Sequence, residues 1–318
     1  MILSAVLCTA LFLCGCGDKT LKVGTGGEGG RYHAYMNHLS DLAAPDLHLD
    51  VETTAGSEAN LRLMKKGFLD AAIVQSDILY TAKEEAGEND LPYCAIAGLY
   101  TESLQIVTRS DTGIEIVDDL KGRRVSVGEE ESGVIHSAAQ VLDFYGLEFD
   151  DLNVSYLSFE ESAKALKERQ IDAFFCVAGA PTGSVETLAK EADIRILSFS
   201  DRETERIRNK YPYYLSVTIP ANTYEGVGEV KTIGVRAVLV VSNQVKDSVA
   251  EELTKKVFAY SGQLNEEVST DGEIDASFAT EYISIPFHSG AAKYLRSLGA
   301  DVEENKGIAK ENVFGGQD

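Results

Sequence analysis

Basic residues are scarce in this chain. Its 318 residues hold 29 Lys and Arg against 51 Asp and Glu, a formal net charge of −22. A surface of that sign repels nucleic-acid phosphates and anionic lipid headgroups, which excludes both as partners. Cysteine is scarce as well. Of the five present, Cys8, Cys14 and Cys16 belong to the N-terminal segment. Cys94 (PYCAIAGLY) and Cys176 (DAFFCVAG) are left in separate apolar runs, too few for a disulfide framework and expected as buried free thiols. Beyond the N-terminal segment no stretch is apolar enough to cross a bilayer, which takes about 20 residues. His33, His38, His48, His136 and His288 show no metal-ligand spacing. There is also no nucleophile elbow and no Gly-Lys-Ser/Thr, so a P-loop is excluded. The expectation is a non-enzyme without metal or cofactor.

What the chain does have begins with an uncharged apolar run, MILSAVLCTALFLCGC, at residues 1–16. It is too short to span a membrane and about right for the apolar region of a signal peptide. Leu13-Cys14-Gly15-Cys16 resembles a bacterial lipoprotein box, which implies that Cys16 is lipidated and anchors the protein outside the cytoplasm. An ordinary signal peptide cut nearby is the alternative. A length of 318 residues exceeds the usual limit of one core, so two domains are expected. The 44% hydrophobic content supports full folding.

Periodicity gives a strand at 21–25, a helix at 31–43, a strand at 47–53, a helix from 56 to 66 and a short apolar strand at 71–74. This βαβαβ order predicts a parallel, doubly wound sheet with right-handed crossovers. Parallel strands are buried on both faces, and the runs AAIV and CAIAGLY fit that. After LQIVT (104–108) the pattern restarts. A short helix at 118–122, a strand at 124–127, a helix at 134–145, a strand near 153–157, a helix at 160–169 and a buried strand at 171–177 follow. Residues 230–242 (VKTIGVRAVLVVS) read as one long strand, and helices fill the C-terminal end. The organisation expected is lobe 1 from 21–108 with 238–318, lobe 2 from 109–237, and a two-strand hinge near 107–110 and 233–238. Such a hinge allows closure over a ligand, as in periplasmic binding proteins.

Three strand-to-helix turns of the first unit carry donors. Gly24-Thr25-Gly26-Gly27-Glu28-Gly29 fits G-x-G-x-x-G, in which glycines admit a close ligand and the helix N-terminus supplies free N–H groups. With Glu52 at the end of the next strand, it also fits a dinucleotide site, so an exported NAD-binding oxidoreductase is a rival. In Thr54-Ala55-Gly56-Ser57-Glu58-Ala59-Asn60, Ser57 is a helix cap or a ligand donor, and Asn60 faces the same mouth. Val74-Gln75-Ser76-Asp77 ends the third strand. Ligands of open α/β sheets sit beyond the carboxyl ends of the strands, where these segments converge. In the second unit, Gly128-Glu129-Glu130-Glu131-Ser132-Gly133 precedes a helix with Ser132 as cap or donor. Ala178-Gly179-Ala180-Pro181 ends a strand that meets the first lobe across the cleft.

These segments together resemble the TAXI family, the substrate-binding proteins of tripartite ATP-independent periplasmic (TRAP) transporters. The matching stretches are VGTGGEGGRYHAY (23–35), ETTAGSEANLRLMKKGFLDAAIVQSD (52–77), GLYTESLQIVTRSDTGIEIVDDLKGRRVSVGEEESG (98–133), ERQIDAFFCVAGAPTGSVETLA (168–189) and IPANTYEGVGEVKTIGVRAVLVVS (219–242). The resemblance implies two α/β lobes, a ligand in the interlobe cleft, and delivery to a membrane permease in a sodium-coupled system. Ligands of that family lean towards glutamate, related amino acids and organic acids. Carried over by position, the ligand shell is Gly26, Gly27, Tyr32, Ser57, Asn60, Gln75, Ser76, Ser132, Gly133 and Gly179. The chain departs from the family pattern at Glu28, Arg31, His33, Glu131 and Val134. Arg31 in the cleft would pair with a ligand carboxylate. Glu28 or Glu131, turned inward, would instead demand an amino or other cationic group. The expectation is a lipid-anchored extracytoplasmic receptor that captures a small polar solute, an amino acid such as glutamate or a related carboxylate. A surface sensor or adhesin on the same fold is the second rival.

Overall fold

The computed structural model describes residues 20–87, 91–270 and 272–305. The expected signal segment and Cys16 lie outside them. No helix among the described residues is long and apolar enough to cross a membrane.

The chain opens with β1 (Thr20–Gly24), α1 (Arg31–Ala43), β2 (His48–Glu52), α2 (Ser57–Lys65), β3 (Ala71–Gln75) and α3 (Ser76–Ala86). β1 pairs in parallel with both β2 and β3, the doubly wound start that the βαβαβ pattern predicts. α1 buries Tyr32, Tyr35, Met36, Leu39 and Ala43, a stripe at helical spacing that packs on this sheet. The long β4 (Tyr93–Arg109) follows.

A second unit repeats the layout: β5 (Arg124–Ser126), α4 (Gly133–Phe144), β6 (Asn153–Ser155), α5 (Phe159–Lys167), β7 (Ala173–Ala178), α6 (Gly183–Glu191), β8 (Ile194–Ile196), α7 (Asp201–Lys210) and β9 (Leu215–Ile219). α5 and α7 begin at full capping boxes, Ser158 with Glu161 and Ser200 with Glu203. The chain then returns through β10 (Val230–Ser242) to α8 (Asp247–Ala259), α9 (Ser261–Val268), α10 (Ala276–Thr280) and α11 (Ser289–Ser297).

All ten strands form one curled sheet of order β2-β1-β3-β10-β4-β7-β5-β6, with β8 on β4 and β9 on β10. The architecture is mixed α/β, two doubly wound lobes joined by the pair β4 and β10. One core draws on residues from Leu21 to Tyr100 and again from Ala237 to Val302. The others lie between Leu104 and Val235. In β7 the side chains alternate between two of these cores. Phe175 and Val177 face one, while Phe174, Cys176 and Ala178 face the other, so the strand is buried on both sides. On this division we propose lobes of residues 20–103 with 237–305 and of residues 104–236.

Two details differ from the expected layout. CAIAGLY and LQIVT are not separate strands but halves of β4, which runs through both lobes. On the proposed division the crossover falls between Tyr100 and Leu104, against the expected 107–110. CAIAGLY also has an antiparallel neighbour, because the returning β10 inserts between β3 and β4. Apolar runs report burial on both faces and are silent on direction. Cys94 and Cys176 are both buried free thiols.

The hinge strands approach closely at Gly234. A Cβ placed there would sit 2.5 Å from the Glu102 carbonyl oxygen and 2.6 Å from Val217 Cγ2. Backbone cannot yield as a side-chain tip does. Gly234→Ala is therefore expected to cost about 1–3 kcal/mol, read as a lowered Tm in thermal unfolding. An unchanged Tm would show that the hinge accommodates the methyl group.

Candidate functional site

The carboxyl ends of the parallel strands of the two lobes face each other, and a cavity of about 520 Å³ lies between them. That volume is within the range of small-molecule sites, about 300–1,000 Å³. Lobe 1 contributes the glycine loop after β1, Arg31 and Tyr32 of α1, the Ala55-Gly56-Ser57 turn, Gln75 at the end of β3 and Glu102 of β4. Lobe 2 contributes Glu129, Ser132 to Val134 at the start of α4, Leu157 to Glu160 at the start of α5, and Val177 and Ala178 of β7.

Four helices, α1 to α4, begin around this cavity without a side-chain cap. First-turn N–H groups of such helices have no partner within their own helix, and the helix dipole makes that end attractive to negative charge. The two lobes touch at the same place. The Ala59 N–H donates to the Glu131 carbonyl at 3.0 Å, and Ser137 Oγ donates to Asp77 Oδ2 at 2.9 Å. A Cβ on Gly133 would lie 1.6 Å from Gln75 Oε1, so a side chain there would displace the Gln75 amide.

Eight of the expected residues line the cavity: Gly26, Gly27, Arg31, Tyr32, Ser57, Gln75, Ser132 and Gly133. Three do not. Asn60 is fully buried, with Nδ2 donating to the carbonyls of Thr25 at 2.7 Å and Ile73 at 2.9 Å, and it ties β1 to β3. Ser76 Oγ accepts from the Arg236 N–H at 3.0 Å and fastens α3 to β10. Gly179 lies just past the lining residue Ala178, and its carbonyl accepts from Arg31. Ser57 is the first residue of α2 rather than its cap, and its Oγ accepts from the Gln75 N–H at 3.1 Å. Glu28 lines the cavity, whereas Glu131 turns away to pair with Arg62 at 2.6 Å.

Arg31 lines the cavity and gives three of its five N–H groups to protein carbonyls. Its guanidinium donates to the Ser269 carbonyl at 2.5 Å, Gly179 at 3.1 Å and Pro181 at 2.8 Å. It thus reaches from lobe 1 across to lobe 2.

Glu102 is the main residue that motif reading missed. It is 3% exposed, and Tyr32 donates its hydroxyl hydrogen to Oε2 at 2.7 Å. Burial pushes its carboxyl up to about 8; the Tyr32 hydrogen bond pulls the other way without prevailing. The one signal in the sequence was a lone acid inside an apolar strand, LYTESLQIVT. Leu157, Phe159 and Val177 supply an apolar wall, also unforeseen. Two buried polar atoms of residues lining the cavity have no protein partner, Gln75 Oε1 from lobe 1 and Ser132 Oγ from lobe 2. Buried polar atoms are nearly always paired, which sets these two apart.

Residues 23–299 match the NMT1-like family. Among solved structures with this fold is a protein from Bordetella bronchiseptica RB50. It is 15% identical over 92% of this chain and 85% of that one, with a TM-score of 0.56. The ligand-binding component of an ABC-type import system from Staphylococcus aureus is 12% identical, over 88% and 90% of the two chains, with a TM-score of 0.51. A protein of glutathione import through GshT and the cystine ABC importer TcyBC of Streptococcus mutans is 12% identical, over 81% and 98%, at 0.50. Likeness at these identities shows the fold.

A buried carboxyl raised from 4.5 to about 8 makes a definite statement about pH. The folded state holds the proton more tightly than the unfolded chain. The stability this represents is full below about pH 4.5 and lost as pH rises through about 8, on the order of 4–5 kcal/mol over the whole window. The ligand-free protein is expected to lose Tm steadily from pH 5 to 8. Glu102→Gln should remove most of that slope while leaving the melt cooperative. A slope identical in both proteins would refute the assignment to Glu102.

Proposed function

The chain belongs to the NMT1-like family, and from that premise we propose that it is a non-catalytic receptor for a small polar solute. One observation carries the reading. Each lobe presents an unsatisfied buried polar atom, Gln75 Oε1 and Ser132 Oγ, beside the same cavity of about 520 Å³. A bound solute that satisfies both links the lobes, and its differential affinity for the closed form drives closure.

The lining suits binding better than catalysis. Ser57 Oγ is held by a backbone N–H, and Ser132 Oγ meets no base. It also suits a compact solute better than a dinucleotide. A Cβ on Gly29 would lie 2.1 Å from Glu160 Oε1. A pyrophosphate on the glycine loop would therefore meet a carboxylate. Glu52, the candidate ribose partner, is exposed and absent from the lining.

We further propose that lipidation at Cys16 holds the receptor at the outer face of the membrane and that it delivers its solute to a TRAP-type permease. The support for both is in the sequence, the Leu-Cys-Gly-Cys box and the five TAXI-like stretches. The glycine-loop and strand-end segments among those stretches, 23–35 and 52–77, include the residues that meet at the cavity.

Mass spectrometry of small molecules released on denaturing the purified protein tests the receptor reading. A stoichiometric polar solute is the expected result, and a released dinucleotide would overturn it. With that solute in hand, Ser132→Ala is expected to weaken binding about 10-fold, the worth of one hydrogen bond. Tm should be unchanged, because the lost hydroxyl has no protein partner.

A further inference from the structure

The charge around the cavity is one-sided. Glu28, Glu102, Glu129 and Glu160 line it, and Arg31 is the one basic lining residue. Three of its five N–H groups already donate to backbone carbonyls. The polar atoms that lack partners point the same way. Glu102 accepts one hydrogen bond, at Oε2, and among the described residues no donor reaches Oε1. Gln75 Oε1 is likewise an acceptor without a donor, on a side chain 2% exposed. Once Glu102 is ionised, its free Oε1 and Gln75 Oε1 present two acceptors on one wall, an arrangement that the N–H groups of an ammonium satisfy.

Resting on the receptor reading, we propose that Glu102 is an ammonium-binding residue. On this assignment the cleft selects solutes carrying a primary amine and rejects di- and tricarboxylates. The uncapped N-terminus of α4 remains available for a single carboxylate, so amino acids qualify, and Leu157, Phe159 and Val177 accept an apolar portion. Glu28 and Glu160 are exposed and Glu129 half-buried, a carboxylate rim that concentrates cations at the mouth.

Binding is then linked to a proton. The charges around Glu102 come from several elements. Arg31 of α1 favours its ionised form, as does the Tyr32 hydrogen bond, while Asp77 of α3 opposes it. Cys176 of β7 stays a neutral thiol, its ionisation suppressed by burial. Arg236 of β10 pairs with Thr101 and the Phe278 ring, on the other face of β4 from Glu102. Desolvation outweighs these charges, so the empty site holds Glu102 protonated at neutral pH. An arriving ammonium group stabilises the carboxylate, and the Glu102 proton leaves to solvent. The balance is simple: the solute stays R–NH3+, and one H+ is released.

Calorimetry decides this on the intact protein, freed of retained solute, at pH 7 in phosphate and in MOPS, whose ionisation heats differ and neither of which is a primary amine. The probes are the twenty amino acids, putrescine and spermidine, against succinate, citrate and 2-oxoglutarate. At least one amine is expected to bind with close to one proton released. Glu102→Gln, shown folded by its melt, should weaken that amine at least 10-fold and abolish the release. An organic acid that binds more tightly than every amine would overturn the ammonium site and leave the receptor standing. So would a variant that keeps both affinity and proton release. If no probe binds and denaturation frees no solute, both the ammonium site and the receptor reading fall.

Discussion

The structure depends on the antiparallel pairing of two strands, β4 and β10. Their register runs from Tyr93 opposite Ser242 to Ser103 opposite Gly234, across both lobes. Each lobe completes its sheet on this ribbon, β3 on one flank of β10 and β7 on one flank of β4. Neither lobe has its sheet without strands that it shares with the other. Freedom of the lobes is thereby confined to the few residues between the cores, where the β4/β10 register shifts beside Ala237 and glycines permit close backbone approach. A two-strand connection bends easily in one direction and resists shear, because shear would break ladder hydrogen bonds.

That ribbon also explains how a carboxyl comes to be buried. Glu102 sits on β4 between the two cores, with Tyr100 on one side and Leu104 on the other. Moving a carboxylate there from water carries a large desolvation cost, and one tyrosine hydroxyl does not offset it. A strand under selection for stability alone would hold a valine or threonine. Polar groups that cost stability persist where a ligand repays them, and Gln75 and Ser132 share the condition.

Much of the fold was legible because its signals are local. The spacing of Tyr32, Tyr35, Met36 and Leu39 gives α1, whereas the capping pairs at Ser158 and Ser200 went unread and the helix after Ser200 with them. The apolar runs at 71–75 and 230–242 give buried strands. Glycine runs in the sequence pointed to the cavity lining at Gly26, Gly27 and Gly133, and a close approach accompanies the run at Gly133. What stayed hidden is pairing between distant segments. Asn60 and Ser76 have the chemistry of ligand donors, but their partners are backbone groups of β1, β3 and β10, which no local pattern names. Glu102 was hidden for the opposite reason: a single acid within an apolar strand matches no motif.

Arg31 has contacts that residue type alone does not name. An arginine beside a glycine loop invites a carboxylate partner, yet here it spans the cleft to the carbonyls of Gly179 and Pro181. Carbonyl oxygens carry only partial charge, so these bonds hold the lobes together more weakly than an ion pair would. The consequence is a contact between the lobes that needs no bound anion. With most of the guanidinium N–H groups given to carbonyls, the carboxylates are left to set the sign of charge that the solute meets.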